Sequence, residues 1–329
     1  MKHGMKPRLL SLCLIATLLL GTSAIALEEA TNQTEDVVTE AYEYTVVPGS
    51  KEWESFYKPE QKLAASYVSP DLMKRMTTEA LVETVLNYPL LVDMYAYDTI
   101  EIGIQAVSTY FGGITELLTR DDAATVLQEY STKTRARTTN TDITYFYSDT
   151  LLDYISSTDD ASADTLTDGA NKARYSDATV KTPAGSTVSA YYNASWSDHG
   201  TTYADTYAID KQFLATYPSA SIVAPPNPAY NCHSYAWYSQ STSNKYWIDD
   251  PSLYMTDGSY SSSGVSVGCK VFYRSENSLY NHSGITTSLT SGKPSVVTSK
   301  WGFHSLFKHN VDDCPYVNTG YNTVIGCWK

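Results

Sequence analysis

Apolar and polar positions fall into two textures that meet near residue 158. Between Trp53 and Ile155 the apolar residues recur three and four apart, the spacing of one helical face. In "TTEALVETVLNYP" Leu81, Val82, Val85 and Leu86 form such a stripe, and Pro89 stops it. "SPDLMKRM" opens with Ser69 as a cap and Pro70 at the first helical position, where a missing N–H costs nothing. "DTIEIGIQAVSTYF" predicts a helix begun by a capping box, Asp98 with Glu101 three residues on, and Gly112-Gly113 predicts a break after it. "DDAATVLQEY" and "TDITYFYSDTLLDYI" (141–155) predict two further helices. Past the small, polar stretch 156–177 the texture alternates instead. "STVSAYYNASW" (186–196), "GCKVFYR", "HSGITTSL" and "SVVTSKWG" predict strands separated by turn residues, with "KQFLATYPSA" as a short helix ended by Pro218. The expected class is α+β: a helical domain over 51–157, a linker over 158–178, and a second domain over 179–329 built on an antiparallel meander.

The start of the chain changes the compartment rather than the fold. Lys2, Lys6 and Arg8 precede an apolar run from Leu9 to Leu20, and Ala24-Ile25-Ala26 follows as a small-residue cleavage signature. Residues 1–26 therefore read as a signal peptide, and the run is too short to span a bilayer. Residues 27–50, acidic and Thr-rich, read as a flexible leader. The expected product is exported, in the cell envelope or outside the cell, with no stable membrane insertion after cleavage. Those three basic residues belong to a total of 23, so the rest of the chain carries 20 against 36 acidic residues. That balance repels phosphate backbones and excludes nucleic acid as a partner class.

Chemistry concentrates in the second half. After residue 26 the cysteines are Cys232, Cys269, Cys314 and Cys327, all in the last third, and export permits disulfides among them. Cys314 with Cys327 is the expected pair, and Cys269 is expected as a buried strand residue. Cys232 differs. Pro225, Pro226 and Pro228 forbid regular structure before it, while "SYAWYSQ" after it has helix-compatible spacing. A cysteine at a helix start faces unpaired N–H groups that favour the thiolate.

A thiolate nucleophile needs a base within hydrogen-bond reach. His233 adjoins Cys232 but on a helix points elsewhere. His282 opens the strand "HSGITTSL", and the turn "TSGKP" folds that strand back onto "SVVTSKWG". A hairpin centred on that turn pairs positions summing to about 584, which puts Ser299 and His304 within cross-strand range of His282. Ser299 falls on the opposite face unless a bulge intervenes.

"NCHSYAW", then "HSGI", then "SKWG" followed by "LFKHNVDDCPY" resembles the papain-like thiol hydrolases of bacterial envelopes, the NlpC-type and CHAP amidases and endopeptidases. The resemblance covers about residues 180–329. It implies a cysteine-bearing helix packed on a small antiparallel sheet, with Cys232 as nucleophile and His282 as base. It also implies a third, polar residue orienting the imidazole, for which Ser299, His304 and His309 stand open. Lys300 cannot accept a hydrogen bond from the ring. Papain-type enzymes keep a glutamine six positions before the cysteine, and Pro226 stands there in this chain. Asn227, Tyr230 or Asn231 is then left to supply the oxyanion donor.

The resulting expectation is a cysteine hydrolase that cleaves amide or peptide bonds, in cell-wall peptidoglycan or in proteins. It needs no cofactor and no metal. Zinc binding by Cys232, His233, His282 and His304 would lack the close-spaced ligand pairs of structural sites. The alternative class is a non-catalytic extracellular binding or surface protein that retains a degenerate papain-like fold, with the helical domain as spacer, prodomain or docking module.

Overall fold

The computed structural model describes residues 36–137, 143–159, 176–275, 277–319 and 323–329. The expected signal peptide and most of the expected linker lie outside the described residues. Asp36–Lys329 is one compact unit.

Short helices come first: α1 (Lys51–Glu54), α2 (Pro59–Ala65), α3 (Pro70–Arg75), α4 (Thr78–Leu86), α5 (Ile100–Ser108), α6 (Gly112–Leu117), α7 (Ala123–Arg137) and α8 (Thr144–Asp159). Capping follows the sequence in most of them. Ser69 accepts from Leu72 N at the start of α3, and Thr77 accepts from Ala80 N at the start of α4. Helix α5 is a correction: Thr99, not Asp98, is its cap, accepting from Ile102 N at 3.3 Å. Asp98 is drawn elsewhere. Gly112-Gly113 is a second difference, since the pair opens α6 rather than merely interrupting the chain. Residues 36–50, expected as part of a free leader, are held down. Val38 bridges Met76, and Tyr42 N donates to Thr84 Oγ1 at 2.9 Å.

The second half supplies β1 (Ser176–Lys181), β2 (Thr187–Tyr192), α9 (Tyr203–Thr216), β3 (Ser221–Ala224), β4 (Tyr246–Trp247), α10 (Ser252–Thr256), β5 (Ser262–Ser263), β6 (Lys270–Arg274), β7 (His282–Thr290), β8 (Lys293–Lys300), β9 (Leu306–Asn310) and β10 (Thr323–Trp328). A small sheet is ordered β1-β2-β4, and the main sheet β3-β9-β8-β7-β6-β10-β5, with every pair antiparallel. Strands β6 to β9 are the expected meander, so the α+β class holds. The β7–β8 hairpin turns through Ser291 and Gly292, both at positive φ (50° and 73°), the conformation of a tight two-residue hairpin turn. Its pairs run from Thr290↔Lys293 to Ile285↔Thr298, sums of 583 or 584, as the turn position predicts.

Alternation gives the main sheet two buried faces. Val271 and Tyr273 join a core shared with the helical half, from Trp53 through Leu81 and Phe111 to Phe307. Phe272, between them, joins Trp237, Tyr254 and Leu306 in a second cluster around the cysteine segment. Polar bonds fasten the helical half to α9 and to the segment after β9 as well. Asp93, fully buried, accepts from Tyr217 Oη at 2.7 Å, Tyr110 Oη at 2.9 Å and Asn318 Nδ2 at 2.8 Å. Lys62 pairs with Asp313, and Trp53 Nε1 donates to Thr216 O at 2.8 Å. At Gly302 (φ 48°) an added Cβ would lie 2.6 Å from Tyr97 O, so only glycine lets the turn after β8 approach the segment before α5.

The disulfide joins Cys269 to Cys327, and Cys314 is a buried free thiol. This corrects the expected Cys314–Cys327 pair. Val271↔Cys327 pairing sets β10 beside β6, which brings Cys327 within reach of Cys269 two residues before. Among the described residues no helix is long and apolar enough to cross a membrane.

Candidate active site around Cys232

Cys232 is a buried free thiol at the first helical position after the proline loop. Asn231 holds that start. Its Oδ1 accepts from Ser234 N at 3.1 Å and Ile248 N at 3.3 Å. Its Nδ2 donates to Ile248 O at 2.8 Å and to Asp98 Oδ2 at 2.9 Å. The helical run is short, however, and from Ser234 to Tyr238 it is a π turn. The expectation that a helix start lowers the thiol pKa is corrected here. Burial pushes Cys232 well above the ordinary thiol value, and the nearby Asp98 charge adds to that. The backbone N–H groups of Ser283 and His233 and the charge of Lys300 oppose the rise. A one-and-a-half-turn helix gives the sulphur little dipole, so individual N–H donors do that work instead.

The Ser283 N–H on the sulphur belongs to the peptide that joins His282 to Ser283, so β7 begins at the thiol. From there the two side chains diverge. Ser283, paired with Phe272, faces the cysteine segment, where its Oγ meets His233 Nδ1 and accepts from Trp237 Nε1, both at 2.8 Å. His282 pairs with Tyr273 and shares its face, stacked on Tyr316 with ring centroids 3.5 Å apart. Both its ring nitrogens are buried without a hydrogen-bond partner. Burial holds the imidazole neutral, its pKa well below the ordinary value, with His309 and His233 pushing the same way. The Tyr316 hydroxyl donates to Ala96 O in the segment before α5.

The three residues open for the third position are committed elsewhere. Ser299 Oγ meets His309 Nε2 at 2.8 Å and accepts from Trp301 Nε1 at 3.1 Å. His309 Nδ1 meets Asn310 O at 2.8 Å. His304 Nδ1 meets Asp210 Oδ1 at 2.7 Å, and burial leaves its Nε2 without a partner. None of the three hydrogen-bonds the ring of His282. Among the oxyanion candidates, Asn231 has spent both amide donors, on Asp98 and Ile248, and Asn227 one of its two, on Thr242 O. The Tyr230 hydroxyl is buried and unpartnered.

Two residues here escaped the sequence reading. Asp98, from the helical half, reaches the cysteine segment, and Trp247 donates to it as well. Burial raises its pKa to about 7, the neighbouring Asp249 charge adds to the rise, and Asn231, Lys300 and Trp247 oppose it. Lys300 is fully buried at the end of β8, its Nζ donating to Gly302 O at 3.0 Å and to His304 O. Burial lowers its pKa to about 7 against the charges of Asp210, Cys232 and Asp98. A carboxylate and a lysine offer no motif, and only the fold brings them to the cysteine segment. Among the described residues no group of histidine, cysteine and acidic side chains could hold a metal ion.

Compared with family models, with curated proteins and with solved structures, the chain matches none.

Proposed function

We propose that residues 179–329 form a papain-like thiol hydrolase and that the exported protein cleaves amide bonds with Cys232 as nucleophile. The observation that carries this reading is the placement of the thiol: a free cysteine at a helix start whose sulphur meets the N–H of the peptide following His282. The backbone of β7 thereby meets the nucleophile fifty residues away in sequence, while the His282 ring lies on the Tyr316 face of that strand. A neutral imidazole is the form that accepts a proton. In the reaction His282 takes the thiol proton as the sulphur attacks the amide carbonyl, then returns it to the leaving amine. Water, deprotonated by the same ring, hydrolyses the thioester. The Tyr230 hydroxyl is buried with no partner, so it is the oxyanion donor in this scheme.

Export and the resemblance to envelope hydrolases favour peptidoglycan stem peptides, with protein substrates second. The competing reading is a binding protein with a degenerate site, and the unpartnered ring of His282 favours it. One comparison separates the two. Purified protein is incubated with peptidoglycan and with casein beside Cys232→Ala and His282→Ala, and new amino groups are quantified. Release by the wild type alone supports the hydrolase and names the bond class. No release from either substrate, with the thiol inert to alkylation, supports the binding protein.

A further inference from the structure

Lys62 and Asp313 meet although 251 positions separate them. Lys62 lies on α2 of the helical half, and Asp313 in the segment after β9. Lys62 Nζ contacts Asp313 Oδ1, and both residues are buried. Among the described residues the other pairs of lysine or arginine with a carboxylate all reach solvent. The Lys62 nitrogen is walled by aromatic rings. It lies 4.4 Å from the ring centroid of Tyr217 and 5.8 Å from that of Trp53, and both rings are buried.

As an ion pair the arrangement is under-bonded. An ammonium carries three donors. Among the described residues Asp313 Oδ1 is the one hydrogen-bond acceptor that Lys62 Nζ reaches. The ring faces favour the cation but offer it no lone pair of the carbonyl kind. A buried pair repays its desolvation only with good geometry and further hydrogen bonds.

As the partners of a condensation, the same atoms are complete. A desolvated lysine amine is a nucleophile. Asp313 Cγ is one bond beyond the oxygen that Nζ touches. The second oxygen, Oδ2, accepts from Ser219 N at 3.1 Å. That N–H stands where charge collects when a carboxyl carbon is attacked. Groups held together in this way react as though at effective molarities of about 10⁵ M or more.

We infer that Lys62 and Asp313 form an intramolecular isopeptide bond, an amide that the folded chain makes between two of its own side chains. The step balances without any other group. One proton passes from Nζ to Oδ1, which leaves an amine and a carboxylic acid. The nitrogen lone pair attacks Cγ and the C–N bond forms, with the charge on Oδ2 held by the Ser219 N–H. A second proton passes from nitrogen to Oδ1, the Cγ–Oδ1 bond breaks, and water leaves. The product has one N–H to satisfy instead of three, and Oδ2 keeps its donor as the amide carbonyl. The bond closes residues 62–313 into one covalent ring that joins the helical half to the segment after β9. It stands apart from the Cys232 site and does not rest on the hydrolase reading.

The test is the intact mass of the purified full chain, reduced and denatured. The wild type is expected to be lighter by one water than its sequence from the observed N-terminus requires. Lys62→Met and Asp313→Ala are expected at their full masses, and on a denaturing gel the ringed wild type should run ahead of both. In a tryptic digest, cleavage after Lys62 should be lost, and one branched peptide should carry both Lys62 and Asp313. The wild-type mass and digest decide the matter if the variants do not fold. A wild type of full mass overturns the inference. So does a missing water confined to a single linear peptide, which marks a cyclised aspartate and no cross-link.

Discussion

Asn231 Nδ2 donates to Asp98 Oδ2 at 2.9 Å, a bond between residues 133 apart that ties the helical half to the turn bearing Cys232. The helical half is therefore not a spacer with respect to the thiol. It supplies a titratable group to the cysteine's surroundings and fixes the asparagine that starts the cysteine's helix.

Burial of the Asp98 carboxyl, which outweighs that bond, predicts a pH signature. Asp98 has a folded pKa of about 7, above that of an exposed carboxylate, so the native state holds its proton more tightly than the unfolded chain. The stabilisation this gives is complete below about pH 4, the unfolded value, and is lost as pH rises through 7. Asp98→Asn keeps an acceptor for Asn231 and removes the titration. Urea unfolding of both proteins should show the wild type losing ground to the variant between pH 4 and pH 8. A constant difference would mean that Asp98 is not held protonated by the fold.

Gly302→Ala should weaken the attachment of the helical half. The added Cβ meets Tyr97 O at 2.6 Å, and the backbone is left-handed there. A loss of about 1–3 kcal/mol is expected in denaturant unfolding.

Lys62 and Asp313 form a buried pair, with the Lys62 Nζ also 4.4 Å from the Tyr217 ring centroid. Lys62→Ala strands the Asp313 carboxylate and should cost about 3–5 kcal/mol. Lys62→Ala with Asp313→Ala should cost less than the two single changes added, which a double-mutant cycle measures.

Cys269–Cys327 closes a loop across β6 and β10. Replacing both by Ala should lower stability by about 2–4 kcal/mol, and reductant should lower Tm in the wild type but not in the double variant.

What the sequence disclosed follows from how local each signal is. The hairpin register was legible because Ser291-Gly292 sets it within a few residues. The cysteine's helix start was legible because Pro225, Pro226 and Pro228 leave regular structure nowhere else to begin. Helix α9 begins eight residues before "KQFLATYPSA", because Thr202 caps it by accepting from Asp205 N and its apolar stripe is weak. Lys300 was set aside as unable to orient a histidine, which it does not do. Its place against Tyr230 of the cysteine segment depends on β8 meeting the turn at Gly302, and no local pattern carries that. Asp98 read as a helix cap for the same reason: its partner lies in the other half of the chain.

The central claim is that Cys232 becomes covalently acylated. Acid quench of the protein during turnover of a stem peptide, followed by mass spectrometry of the Cys232 peptide, measures that directly. The account predicts a mass increment equal to the acyl half of the substrate, labile to hydroxylamine and absent from Cys232→Ala. Turnover with an unmodified Cys232 peptide, or turnover that persists in Cys232→Ala, would contradict it.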